Sequence, residues 1–439
     1  MGSIVLFLVC WVSWYGMYIK GEKVGYCQIT SDPTPTGYRV SELTHIELSV
    51  MGATRWLKSM AQYEVTQEFE LNSFTFDLET EAQKLLMRGE LVLPKRKGIG
   101  CAHDSPVLNM LVKTGGTTQT KEIKVKASVY PVTVLPMIVS KFTSSTKEVE
   151  LFDPSIQAVN MGKCRILESH EDSLKVELEL PKLGITSTLW VSKDGVLLSH
   201  HQPMDILMRK ESKEEALKVA EVVPEIMSLY GIKSNVEIPN PRKVTFLRLL
   251  VKGEFLESER QMRFGDTLLI QTIGPRIGGR EIREYLDPTP FIQSTDESII
   301  DLANKIISDI HDPWKRSREL VKWVAQNVRD MPTVSIPSAL DVLGALEGDC
   351  GEHTILFVAL ARACGIPAQI VVGLVYVEDG FYYHAWAKIW AGRWVEVDPT
   401  FGQPIADATH IALAEGELSE QAKIMKLVDK IELKVLEYK

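Results

Sequence analysis

The sequence predicts an α+β protein in which an antiparallel β-rich region precedes a C-terminal α+β domain. From Trp14 to about residue 210, apolar and polar residues alternate, as in EVTQEFELNSFTFDLET (64–80), SLKVELELP (173–181) and STLWVSKDGVLLSH (187–200). Period-two runs separated by turn residues such as Lys193-Asp194-Gly195 are antiparallel strands. At 212–232 the period turns helical, with Ala216, Val219, Val222 and Val223 at helical spacing and a kink or stop expected at Pro224. After Asp287-Pro288-Thr289-Pro290 come two helical segments, a buried apolar helix and three strands. Helices followed by antiparallel strands are the α+β pattern.

In chain order, the run Ile4 to Val12 is apolar over nine residues, whereas a membrane-spanning helix needs roughly 20. It fits the core of a secretory signal or a first buried strand. The first reading makes the protein extracytoplasmic (periplasmic or secreted), with membrane proximity through this segment; the second makes it cytoplasmic. Residues 1–13 are therefore set apart as a leader and 14–211 as the β-rich domain. Within that domain His200-His201 is expected to be a solvent-facing pair, because adjacent strand residues point to opposite faces and cannot easily share one ion. Lys95-Arg96-Lys97, after Pro94, is a solvated loop. Residues 212–287 form a connector of one helix and the strands VTFLRLLVKGEF (244–255) and DTLLIQTI (266–273). The main boundary falls at the Asp287-Pro288 linker, which leaves 288–439 as the C-terminal domain. There DESIIDLANKII (296–307) and PWKRSRELVKWVAQNV (313–328) have helical periodicity, the second with Pro313 at its start.

Composition narrows the function. With 45% hydrophobic and 24% charged residues over 439 positions, and no internal repeat, the chain is a globular protein of two or three domains. A net charge of -9 without a clustered basic surface argues against a nucleic-acid partner. Six cysteines, widely spaced and without a CxxC pair, are not a disulfide scaffold. No cofactor-binding motif and no complete metal-ligand set stands out, so neither cofactor nor metal is expected.

The chemistry gathers after residue 344, in GALEGDCGEHTILFVALARACGIPAQ. Asp349 followed three residues later by Glu352 is an acidic capping box, which makes Cys350 the first residue of a helix. A thiol over unpaired N-H groups gains thiolate character, while the carboxylates of Asp349 and Glu352 push the other way. The helix behind it is apolar on nearly every face and must be buried, giving Cys350 a rigid mount. Cys364, inside the helix, belongs to the core. Acyl-transfer chemistry also needs a histidine and a group to orient it. In FYYHAWAKIW alternation puts Tyr382, His384, Trp386 and Lys388 on one face; in RWVEVDPT it puts Trp394, Glu396 and Asp398 on one face. A three-residue hairpin loop Trp390-Ala391-Gly392, with Gly392 left-handed, would pair Ile389 with Arg393 and set His384 directly opposite Asp398. A two-residue loop would put them on opposite faces.

GDCGEHTILFVALARACGIPAQIVVGLVY, followed by YYHAWAKIWAGRWVEVDPTFGQ, resembles the core of the transglutaminase-like superfamily in its bacterial and archaeal form, over roughly residues 290 to 420. The resemblance implies a papain-like fold and a Cys-His-Asp triad. Cys350 would be the nucleophile, His384 the general base and acid, and Asp398 the orienting carboxylate. The substrate would be a protein or peptide amide. The upstream region also resembles the N-terminal part of bacterial members, with WYGMYIKGEKVGY as an opening strand pair. Gly351 replaces the polar residue common after the cysteine, and no acidic cluster resembles the calcium sites of animal transglutaminases. The Cys350 N-H is a candidate oxyanion donor; a second is unassigned, with Trp314 and Trp323 as candidates. Asp407 and His410, in ADATHIALAEGE, again follow the family pattern and are expected to support rather than perform the chemistry.

Three other readings stay open from the residues. His353, three residues after Cys350 on the same helix, could be the thiol's partner. Cys350, His353 and His384 could hold zinc, although a fourth ligand is lacking. The domain could also bind peptides without catalysis. Within the acyl-transfer reading, hydrolysis is slightly favoured over crosslinking, because nothing in the sequence identifies a device for excluding water.

Overall fold

Short turns fold the first two hundred residues back and forth. In the computed structural model, which describes residues 10–50, 53–81, 83–93, 105–126, 128–218, 224, 230–276, 282–333, 338–416, 427 and 430–439, these runs form one large β sheet. The chain divides into two compact units, one of residues 1–49, 54–113 and 118–224, the other of 225–439 with the short segments 50–53 and 114–117. Residues 1–9 and the Lys95-Arg96-Lys97 loop lie outside the described residues. Trp11 to Ser13, taken above as the end of a leader, begin a strand. Among the described residues no helix is long and apolar enough to cross a membrane.

In the first unit, strand Trp11–Ile19 lies mid-sheet, paired with Glu22–Thr34 on one side and Ile206–Glu211 on the other. The chain steps outward to the edge strand Thr117–Lys124, re-enters at the opposite edge with Val129–Pro131, and steps back to the middle. The alternation at 64–80 resolves into the end of Ala53–Thr66 and the whole of Leu71–Thr80. Thr133 donates to Glu42 at 2.6 Å, and the Phe74 and Phe152 rings lie 4.6 Å apart, so the far edge folds over earlier strands of the same sheet. Tyr15, Cys27, Tyr63, Leu71, Met87 and Met110 fill the interior. The His200-His201 pair departs from expectation. His201 is exposed, but the opposite orientation turns His200 inward, where Nε2 meets Ser187 Oγ at 3.0 Å and burial lowers its pKa to about 4. Of the helix expected at 212–232, Lys213–Ala216 is formed and capped by Ser212; 219–223 and 225–229 lie outside the described residues.

The second unit begins before the Asp287-Pro288 linker. Strands β1 (Phe246–Lys252), β2 (Gln261–Phe264) and β3 (Thr267–Gln271), expected as a connector, belong to it. Helices α1 (Glu297–Ile307) and α2 (Pro313–Asn327) follow, N-capped by Asp296 and Asp312. Helix α3 (Ala339–Ala345), which the sequence reading did not anticipate, is capped by Ser338. Helix α4 (Cys350–Ala363) packs against all three helices and against strands β4 (Ala368–Val377) and β5 (Gly380–Trp390), which explains its apolar circumference. Strand β6 (Trp394–Val397) pairs with the end of β5, and β7 (Ile411–Glu415) flanks β4 on its other side.

Strand β1 finds a distant partner in β8 (Glu432–Tyr438), and the order β2-β3-β1-β8 makes a small second sheet. Its Leu247, Leu249, Leu268 and Ile270 share one core with Leu374, Tyr376, Phe381 and Ile411 of the site sheet. That shared core is why residues 246–271 are part of this unit and not a linker. Covered in this way, β4 is almost wholly buried and reads as a near-continuous apolar run.

Gly373, in the middle of β4, is where β7 and the Trp386 ring come closest. A Cβ there would lie 2.0 Å from Ile411 O and 2.9 Å from Trp386 Cη2. Gly373→Ala is expected to destabilise by about 1–3 kcal/mol through this overpacking. Gly344→Ala, in α3 with nothing within 4 Å of an added Cβ, should stabilise by about 0.5–1 kcal/mol. Urea unfolding of the two variants checks both signs.

Candidate active site

The sequence around Cys350 folds as its capping pattern requires. Asp349 Oδ1 accepts from Gly351 N-H at 2.8 Å and Glu352 Oε2 accepts from Asp349 N-H at 3.1 Å, so both arms of the capping box are closed and Cys350 is the first helical residue. The pairing of β6 with β5 stops at Ala387–Val397, which leaves Ala385 without that neighbour. Helix α4 takes its place. The Ala385 N-H hydrogen-bonds the Cys350 thiol, and the Ala385 carbonyl accepts from Thr354 Oγ1 at 3.1 Å. Two side chains one turn apart thus fix the helix to the strand at the residue next to His384.

His384 Nε2 lies 2.9 Å from Asp398 Oδ2. The hairpin that brings them together differs from the expected one. Trp390 pairs with Trp394 and Ile389 with Val395, so the loop is Ala391-Gly392-Arg393, with Gly392 at φ +77. Three residues still make an odd loop, so the faces stay as expected while the register moves by two. Asp398 reaches His384 diagonally instead of from directly opposite, and the same face places Trp386 Nε1 2.8 Å from Glu396 Oε2. The His384 ring stacks between Phe401, with centroids 5.0 Å apart, and Trp386 at 6.1 Å.

Asp398 is 0% exposed and its carboxylate is fully used. Oδ1 accepts from the N-H groups of Thr400 at 2.7 Å and Phe401 at 3.0 Å; Oδ2 contacts His384 and also His410 Nε2, again at 2.9 Å. Behind His410 lie Asp407, Arg242 and Arg260. Arg242 Nη1 pairs with Asp407 Oδ2 at 3.0 Å, and its guanidinium covers the Phe401 ring. Arg260 bonds Glu396 Oε2 at 2.8 Å and the Asp407 carbonyl at 2.7 Å. The ligand atoms of His384, Asp398 and His410 lie within 4.8 Å of one another. Their contacts are at hydrogen-bond length and the second carboxylate oxygen is taken by backbone donors, which describes a hydrogen-bonded set and not a ligand set.

Burial sets the protonation states. It pushes the Cys350 thiol well above the ordinary range, aided by the charges of Asp349, Glu352 and Asp398 and opposed by the Ala385 N-H. The thiolate character expected from the helix terminus is therefore overturned. Burial also lowers the His384 pKa; the Asp398 contact opposes this, and the charges of His410 and Arg242 add to it. For Asp398 burial alone would act upward, but His384 and His410 together carry it far below the usual carboxylate range. Both shifts favour the neutral form, a thiol at Cys350 and an imidazole at His384.

His353 is not the thiol's partner. Its Nδ1 faces the Asp349 carbonyl at 2.7 Å and its Nε2 the Val328 carbonyl at 3.2 Å, which ties the start of α4 to the end of α2 and leaves neither nitrogen for zinc. Asp407 and His410 do stand behind the site, as the sequence suggested. Arg242, Arg260 and Phe401 were missed. The first two lie more than a hundred residues upstream, in the stretches just before and between the strands read at 244–255 and 266–273, where nothing marks them as site residues.

Residues 300–399 match the family model of the transglutaminase-like superfamily. An uncharacterized protein of Haemophilus influenzae is 33% identical over 99 residues, which cover 21% of this chain and 27% of that protein. An uncharacterized protein of Mycobacterium leprae is 27% identical over 127 residues, 27% of this chain and 45% of that one. The chain thus spans less than half the length of these relatives. Among solved structures, a candidate cysteine protease from Cytophaga hutchinsonii is 19% identical, with a TM-score of 0.31, covering 48% of this chain and 85% of its own.

Asp398 has a folded-state pKa depressed below its unfolded value of about 3.9. Its contribution to stability is therefore present above about pH 4 and lost as pH falls below it. Asp398→Asn is expected to be less stable than the wild type at pH 7 and to lose less on acidification; tryptophan-monitored denaturant unfolding at several pH values reads the difference. His353→Ala should cost about 1–3 kcal/mol, since it removes the side chain that ties the start of α4 to the buried Val328 carbonyl, and should leave Cys350 alkylation by iodoacetamide unchanged in the folded protein.

Proposed function

We propose that the C-terminal unit is a thiol acyl-transfer enzyme acting on protein or peptide amides, with Cys350 as nucleophile, His384 as general base and acid, and Asp398 as the carboxylate that orients His384. The observation that carries this is the 2.9 Å contact of His384 Nε2 with Asp398 beside a strand residue, Ala385, whose N-H bonds the Cys350 thiol. With Nε2 committed to Asp398, Nδ1 is the nitrogen that takes the thiol proton as sulfur attacks the amide carbonyl carbon. The oxyanion accepts from the Cys350 N-H, which has no helical acceptor at the first position. His384 returns the proton to the departing nitrogen, the C-N bond breaks, and a thioester remains.

Water then releases the acid, the reading we favour, which makes the protein a peptidase or amidase. A primary amine in place of water makes it a transglutaminase. The neutral resting pair favours proton transfer concerted with attack. Because His384 must be neutral to accept the proton, activity should fall as pH drops through its lowered pKa. An extracytoplasmic location remains part of the proposal and rests on the apolar run at residues 4–12 alone.

Wild type, Cys350→Ala and His384→Ala, each incubated with a peptide mixture and an added primary amine and read by mass spectrometry, test the reading. New peptide termini or free carboxylates mean hydrolysis, and amine adducts on glutamine mean transfer. Both variants should lose activity, His384→Ala by roughly 10²–10⁴ in the acylation rate. Identical products from wild type and Cys350→Ala would leave a peptide-binding module as the better description.

A further inference from the structure

Two histidines touch one oxygen of Asp398, and their other ring nitrogens have different surroundings. His410, 0% exposed, turns Nδ1 to the Asp407 carbonyl at 3.2 Å and to Asp407 Oδ2 at 3.5 Å, while Nε2 faces Asp398 Oδ2 at 2.9 Å. Each of these partners is an acceptor. A neutral imidazole carries one N-H and would set a lone pair against an oxygen on one side; only the imidazolium satisfies both.

The charges around it give the same answer by a separate route. Three carboxylates (Asp398, Asp407 and Glu396) and two guanidiniums (Arg242 and Arg260) surround the two histidines, and all but Arg242 are buried. Arg242 pairs with Asp407, and Arg260 pairs with Glu396 while its Nη2 reaches the His410 carbonyl at 3.3 Å. Asp398 is left needing one positive charge, which one of the two histidines must supply. Uncompensated charge in such a place is costly.

We infer that His410 is a positioning residue that bonds Asp398 as a standing imidazolium and thereby keeps His384 neutral, in the tautomer with its proton on Nε2 and Nδ1 left as the base. The inference rests on the acyl-transfer reading only for the role of His384. The protonation of His410 stands on the contacts alone. Two bonds to one oxygen also divide the work: His410 supplies the compensating charge, and His384 is free to gain and lose a proton. The raised pKa of His410, where the bonds to Asp398 and Asp407 overcome burial, agrees with it. On the thiol side stand the carboxyl groups of Asp349 and Glu352; burial and the neighbouring Glu352 hold the Asp349 carboxyl well above the usual range, and the charge this pair keeps disfavours the thiolate.

The test has two parts. In nitrogen-15 NMR of the full-length wild type labelled at histidine, His410 should show two protonated ring nitrogens from pH 6 to 8 and His384 a single proton on Nε2. A neutral His410 at pH 7, or a cationic His384, overturns the inference whether or not any amide is turned over. In the second part His410→Gln keeps an N-H donor for Asp398 but removes the charge. The missing charge then falls to His384, and the acid limb of kcat/KM should move to higher pH by about one unit, as for a loss of one neighbouring charge. A variant whose rate falls with the limb unmoved assigns His410 a merely structural role and overturns the inference. If the wild type itself has no acyl-transfer activity, the functional proposal fails while the spectra still decide the state of His410.

Discussion

The arrangement of the second unit depends on keeping one carboxylate, Asp398, charged while wholly out of water. Such a group is tolerated only when its lone pairs are answered. Four donors answer it: the N-H groups of Thr400 and Phe401, His384 and His410. The two backbone donors require the chain to leave the β5–β6 ladder immediately after Val397. That departure frees the edge of β5 at Ala385, and the free edge is where α4 presents Cys350 and Thr354. The place of Cys350 and the solvation of the Asp398 carboxylate are thus consequences of one interruption in a β hairpin.

The charge of the site is assembled from further away. Arg242 sits in the short 3-10 turn before β1 and Arg260 in the bend just before β2, at the rim of the small sheet, whose packing on β4 and β5 buries Leu247, Leu249, Leu268 and Ile270. Their guanidiniums enter beneath the site because that core brings the segments leading into β1 and β2 there, and they neutralise Asp407 and Glu396, the first of which would otherwise compete with Asp398 for His410. The apolar core and the site electrostatics are in this sense one structure. Loosening the first would move the charges of the second.

Legibility in the sequence followed the range of each interaction. The capping box, the buried helix behind Cys350 and the shared face of His384 and Asp398 were readable because each is set within a few residues by backbone period and turn parity. The hairpin register was off by two, since parity fixes the face but the choice between Trp390 and Arg393 as a loop residue depends on Trp390 pairing with Trp394. The thiol's state was misjudged because a helix terminus is visible in sequence and desolvation is not. Helix α3 escaped notice because Ser338-Ala339-Leu340 with Gly344 has too short an apolar period. Arg242 and Arg260 were unreadable as site residues, since only the non-local packing of the small sheet on the site sheet brings the turns that hold them to Asp407 and Glu396.

The pairing of β1 with β8 orders events in time. Lys252 on β1 and Glu432 on β8 meet across 180 positions of chain. At roughly 5–20 residues per second of synthesis, β1 waits on the order of 10–40 s for its partner strand. Cys350, His384, Asp398 and His410 are all made during that interval, before the sheet flanked by Arg242 and Arg260 is complete. A nascent chain therefore carries both arginines before Cys350 is made, yet the sheet beside them can close only after Cys350, His384, Asp398 and His410 have all been synthesised.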